Sequence, residues 1–375
     1  MHPIRKKLGK IPLFKILSSL KITVICLGLL YLLTFWGTID QMNNGLYLAQ
    51  EKFFNSIFFM LFDFIPFPGA RSILWVLFVN LICVATTRLV YRWSNIGITI
   101  IHLGLILFLV SAFLTFHGIE ETNITLRENE GTNVSKSYHQ WELSVWEDRS
   151  GDTKSVLAHD TAHIHPGDIF NFDQYGFKVK TKIYHQNSEA YVTDQGDTGI
   201  VNDSGIRSIV PVDISIEPEE NYPAGIFEIQ DNSKNRELLL YGGEIQPTRV
   251  EINQKVYAFQ LRRRRSPIPF ILKLIDFKKE LHPNTEVAKS YQSLVEVITP
   301  DSTREVLISM NEPLRYKSFT FYQASYAIDE FGRELSTLAV VHNPSRVMPY
   351  VASLATFAGL LIHMLLMGFR PRKKI

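Results

Sequence analysis

Two histidines stand where an ionisable group is costly. His102 lies in the apolar run 96–116 and His363 in the run 347–368, and neither run holds an acid, a lysine or an arginine. A polar side chain inside such a run must face a bundle interior, a cavity or a ligand. A neutral imidazole there has two uses. It can hydrogen-bond a neighbouring backbone carbonyl, or it can serve as an axial ligand to a haem iron. His102 is about 9 Å from the start of its run and His363 about 8 Å from the end of its own, at 1.5 Å per helical residue. If the runs are antiparallel the two rings share a depth. They could then clamp one haem, or each could pair with a ligand from another subunit.

The remaining groups offer less chemistry. His117 stands at the outer mouth of its run, and His163 and His165 alternate before Pro166-Gly167, too few for a metal site. His139, His159, His185, His282 and His342 read as solvated surface. Arg262 to Arg265 could attract haem propionates or an acidic partner, although four bases at a strand end are more often plain surface. Cys26 and Cys83 both lie in apolar runs, which suits neither a disulfide nor zinc. Without a Cys-x-x-Cys-His motif the chain cannot carry covalent haem itself. No catalytic residues are expected.

Positioning these rings falls to four apolar segments. Spans of about 17–25 residues cross a bilayer, and 22–39, 72–91, 96–117 and 347–368 are read as transmembrane helices. In the third, Gly97, Gly104 and Ser111 recur every seven residues and make a face for close helix contact. His102 lies about 140° from Gly97 and so points away from that seam. His363 shares a face with Ala352, Ala355 and Gly359 and looks into the bundle.

Charge sets the expected orientation. Of 37 acidic residues 34 fall in 118–346, together with 25 of the 39 basic ones. Twelve other bases cluster in three acid-free segments: the tail 1–21, the loop 92–95 with Arg88 just before it, and the tail 369–375. The positive-inside rule puts all three in the cytoplasm. The loop 40–71, with an aromatic segment lying along the membrane surface, and the domain 118–346 then face outward. A single soluble globule is excluded, and so is a nucleic-acid binder relying on overall basicity.

From Trp141 the pattern turns to period two, as in Phe177, Val179, Thr181 and Ile183 alternating with lysines. Further strands are expected at 207–217, 236–241, 248–261, 268–277, 290–298, 304–309, 319–322 and 335–341, with turns at Gly151-Asp152, Pro166-Gly167 and Gly242-Gly243. The fold class is a polytopic membrane protein: four transmembrane α-helices plus a large extracytoplasmic, mostly antiparallel β domain, a sandwich or two packed lobes.

Several fragments, in order and spacing, resemble the ResB family of cytochrome c biogenesis proteins, the system II haem-attachment machinery. They are Ser18-Ser19-Leu20-Lys21, Gly37-Thr38, residues 45–51, Asn80-Leu81 through Arg88, His102-Leu103-Gly104 and Gly118-Ile119-Glu120. The most specific lie in the outer domain: Pro269-Phe270, residues 274–277, His282-Pro283-Asn284-Thr285, Ser293, and 308–326 with its Asn-x-Pro-Leu and Tyr-Gln-x-Ser-Tyr.

The resemblance implies a subunit of a cytochrome c synthase in the bacterial plasma (inner) membrane, with both termini cytoplasmic. Its partners would be a CcsA/ResC-type membrane protein, apocytochrome c and thiol-reducing membrane proteins. Its cargo would be haem b, held transiently and non-covalently. His102 matches the family's intramembrane histidine, an axial ligand whose opposite ligand is expected from another subunit; His363 is a second candidate. Two alternatives stay open, a haem exporter without ligation and a membrane-tethered scaffold that docks apocytochrome.

Overall fold

The computed structural model describes residues 11–62, 64–149, 155–192, 199–200, 202–231, 235–285 and 288–368. Outside them lie Arg5, Lys6, Lys7, Lys10 and the bases of the C-terminal tail, Asp63, and the Gly151-Asp152 turn. The chain forms two compact units: a helical one (1–120, 317–319 and 342–375) and a β one (121–316 and 320–341).

The helical unit contains α1 (Pro12–Leu17), α2 (Leu20–Ala49), α3 (Ala70–Thr87), α4 (Ile96–Gly118) and α5 (Met348–Gly368). Four of these, all but α1, are long and apolar enough to cross a membrane. The chain breaks at Ser18-Ser19, which strands helix-end carbonyls in an apolar setting. Asn80 of α3 repairs the break. Its side-chain amide donates to Leu17 O at 2.5 Å and Ser19 O at 3.1 Å and accepts from Thr23 at 2.8 Å. Arg88 donates to Ser18 Oγ at 3.1 Å. Two of the sequence fragments quoted above, about 60 residues apart, are thus one contact.

The segment 40–71 holds more regular structure than a loop. Helix α2 runs past residue 39 to Ala49, kinking at Gly45 where φ is 74°, a conformation that costs glycine little. A π-helical turn, Gln50–Asn55, follows. Phe58–Leu61 then pairs with Ile65–Pro68 in a hairpin. Phe53, Phe59 and Phe67 fold back onto Leu33, Trp36, Ala70 and Ile73, with Phe53 and Phe59 ring centroids 4.8 Å apart. Phe58, Met60, Phe62 and Phe64 stay exposed.

The β unit is antiparallel and has two lobes built on shared strands. Strand Lys255–Leu281, 27 residues long, pairs along both halves with Gly131–Glu147. It enters from Thr248–Ile252 through Asn253-Gln254, whose φ angles of 51° and 63° are those of a type I′ hairpin turn. In the first lobe, Tyr257, Phe259 and Leu261 pack with Phe177, Val179, Phe227, Ile229, Leu238 and Leu240. Those six belong to a four-stranded sheet made by Ile169–Phe172, Phe177–His185, Ala224–Gln230 and Asn235–Tyr241. Each fully buried Phe or Leu contributes roughly 1.5–3 kcal/mol. In the second lobe the same long strand pairs with Ala288–Ile298, which pairs with Thr303–Ser309. Two strands begin earlier than the alternation indicates, Glu120–Arg127 and Gly131–Glu147. The strand expected at 207–217 shortens to Ser208–Pro211. There Asn187 donates to Asp213 O and accepts from Tyr222 N–H, side-chain bonds that replace a ladder.

Several titratable groups of this unit are displaced from their ordinary values, and Tyr138 carries a large shift. Burial, with smaller contributions from Glu219 and Glu121, pushes the Tyr138 phenol up to about 12 from an ordinary 10.0. A raised value means stability that is full below pH 10 and is lost as pH rises through about 12. Two units would correspond to about 2.7 kcal/mol; partial exposure reduces this to about 1 kcal/mol. Tyr138→Phe is therefore expected to flatten the alkaline limb of the unfolding midpoint between pH 10 and 12. Identical limbs in the two proteins would contradict the assignment.

Candidate site at the helix histidines

Helices α4 and α5 are antiparallel and in near backbone contact. A Cβ on Gly97 would fall 2.5 Å from His363 N and 2.7 Å from Gly359 O, and one on Gly359 would fall 2.8 Å from Ile101 N. Gly104 meets Thr356 in the same register. The seven-residue repeat of small side chains is thus the α4–α5 seam, with Gly97, Gly104 and Ser111 buried on one side and Ala352 and Gly359 on the other.

His102 lies off that seam and is half-buried. Its Nδ1 is 2.9 Å from Ile98 O. A carbonyl can only accept, so Nδ1 carries the hydrogen and Nε2 keeps its lone pair. This is the arrangement of a metal-ligating imidazole, one nitrogen anchored and the other free to coordinate. The residues present therefore fit a haem iron at His102.

His363 is placed differently. Its backbone packs on Gly97, and its buried Nδ1 has no hydrogen-bond partner among the described residues. An enclosed Nδ1 cannot reach an iron, so any coordination would fall to Nε2, on a ring that no hydrogen bond orients. The register also separates the rings. His363 is level with Gly97, five residues from His102, or about 8 Å along the axis. The matched depth read from the run ends does not hold, because the two helices are offset along their axes.

The arginine tract is largely structural. Arg262 pairs with Glu142 at 2.8 Å, both nearly buried. Arg263 lies 4.1 Å over the Trp141 ring and donates to the Tyr138 and Glu219 carbonyls. Among the described residues no group of three His, Cys, Asp or Glu side chains is placed to hold a metal.

The Tyr-Gln-x-Ser-Tyr stretch of the β unit is also structural. Gln323, of Tyr-Gln-Ala-Ser-Tyr, is buried; it accepts from Ser293 at 2.6 Å and donates to Ser336 at 3.1 Å. Tyr326 packs at a tilt against Phe277 and Tyr291, with the Lys279 ammonium over its ring. Gln323→Ala removes both bonds and opens a void. It should destabilise the β unit by about 2–3 kcal/mol, read as a lower urea midpoint with an unchanged slope. An unchanged midpoint would contradict this role.

Sequence reasoning passed over one cluster. His117 Nδ1 is 2.9 Å from Phe113 O, repeating the His102 geometry at the other end of α4. Phe113 and Phe116 flank the ring with centroids at 4.2 and 5.1 Å, and the Arg71 guanidinium lies 5.1 Å from the Phe116 ring. The i, i+4 spacing of Phe113 and His117 was the available signal; the approach of Arg71 from α3 left none.

Four membrane-length apolar helices and an antiparallel β unit define a polytopic membrane-protein class with an appended β domain. Residues 245–337 match the ResB-like family. The chain is also 32% identical over 101 residues to Protein NrfI of Wolinella succinogenes, 26% of this chain and 11% of that protein's length. The match begins just before Thr248–Ile252 and ends within Glu334–His342, and it takes in the Asn-x-Pro-Leu and Tyr-Gln-x-Ser-Tyr motifs.

Proposed function

We propose that the chain is a haem-handling subunit of a cytochrome c biogenesis complex in the bacterial plasma membrane. The observation that carries this reading is the ResB-like match of residues 245–337. The geometry of His102 supports the choice of residue. Haem b is the cargo, bound non-covalently, and His102 Nε2 supplies one axial ligand. A CcsA/ResC-type partner supplies the opposite ligand and joins haem to apocytochrome c. Ile98 O fixes the imidazole tautomer, the α4–α5 seam fixes the helix that bears it, and His363 is a secondary ligand candidate. The β unit lies outside the cytoplasm and both termini lie within it.

Deleting the gene in its host should abolish covalent haem staining of c-type cytochromes while b-type haem spectra persist. Normal c-type staining would overturn the proposal. Reporters fused after Asn95 should read cytoplasmic, and reporters within 121–316 exported. The opposite result would reverse the orientation.

A further inference from the structure

The cluster at the far end of α4 has the parts of a ligand site. His117 is exposed, and its Nδ1 is committed to Phe113 O, which leaves Nε2 as a bare donor. Phe113 and Phe116 present apolar rings on either side of it, both open. Trp75 extends this surface, 5.5 Å from Phe113. Arg71 adds a guanidinium that has no carboxylate partner among the described residues. A nitrogen donor, flat apolar walls and a cation without a carboxylate partner among the described residues together describe a planar, carboxylate-bearing metal macrocycle. His102 and His117 are 15 residues apart on one helix. That places them about 22 Å apart along its axis and within about 60° of one another around it.

We propose that this end of α4 is a second haem station on the same chain. His117 is its axial ligand, Phe113 and Phe116 contact the porphyrin, and Arg71 binds a propionate. Helix α4 then carries a donor at each end of the haem's passage, on the same side. The proposal rests on the haem-handling reading of the chain, and either station can fail without the other.

The test uses the full chain, purified in detergent and titrated with haemin without added imidazole, which could replace a missing histidine. The Soret band is followed for wild type, His102→Ala, His117→Ala and the double variant. Two haems per chain are expected, one lost in each single variant and both in the double. Arg71→Gln should weaken the His117-dependent haem about tenfold, as for the loss of one charge-assisted bond, and leave the other unchanged. His117→Tyr should keep the haem but shift its spectrum toward phenolate ligation, which a merely structural residue would not do. One haem, lost in His102→Ala and untouched by His117→Ala, would overturn this station and leave the His102 reading standing. Loss only in His117→Ala would keep the station and overturn His102. No specific haem in wild type would overturn both.

Discussion

His102→Ala is expected to stop cytochrome c maturation while the protein still inserts and accumulates. Removing an imidazole from an apolar helix does not hinder membrane insertion, and His102 lies off the glycine seam that pairs α4 with α5. What disappears is a nitrogen whose tautomer is set by a 2.9 Å bond to Ile98 O. Because the missing group has a defined chemistry, exogenous imidazole should restore part of the activity. His363→Ala should be milder, since that ring is level with Gly97 and its Nδ1 is unanchored among the described residues. Full maturation in His102→Ala, at normal protein level, would reduce that residue to a structural histidine.

Gly97→Leu is expected to have the largest effect on the helical unit. A first side-chain carbon at Gly97 would meet backbone atoms of both His363 and Gly359 inside 3 Å. Backbone cannot rotate aside as a side chain can, so the helices must separate. Overpacking of this kind costs about 1–3 kcal/mol or more, and even Gly97→Ala should lower the melting temperature. Gly28 is the matched control, a glycine on α2 with nothing within 4 Å of its would-be Cβ. Gly28→Leu should leave melting nearly unchanged. Equal melting temperatures for the Gly97 and Gly28 variants would show that the seam is not a determinant of stability.

The apolar helices and the β alternation were legible in the sequence because both depend on local period. What escaped it depends on pairing. Residues 40–49 are too polar to extend a membrane span on hydropathy, yet α2 continues through them, and Lys52 returns to Asp40 at 3.2 Å across the kink. The phenylalanines of 53–67 read as membrane-facing, but three of the seven, Phe53, Phe59 and Phe67, turn inward. Gln323 breaks no alternation rule and looks like surface until Ser293 and Ser336 close around it. Arg262 and Arg263 read as solvated charge because Glu142 and Trp141 lie about 120 residues away. His102 was singled out because a histidine is rare in such a run, and its tautomer follows from the Ile98 carbonyl that the folded helix brings beside it. His117 ranked as a weaker candidate because its neighbours Arg71 and Trp75 come from another helix.

The most direct test is optical. The full chain should be purified together with the proposed CcsA/ResC-type partner, and the haem spectrum recorded for wild type and His102→Ala at equal protein. The wild-type complex is predicted to carry a low-spin, doubly nitrogen-ligated haem whose band is lost or turns high-spin in His102→Ala and returns on adding imidazole. An identical low-spin spectrum in both proteins would contradict the assignment of His102 as an iron ligand.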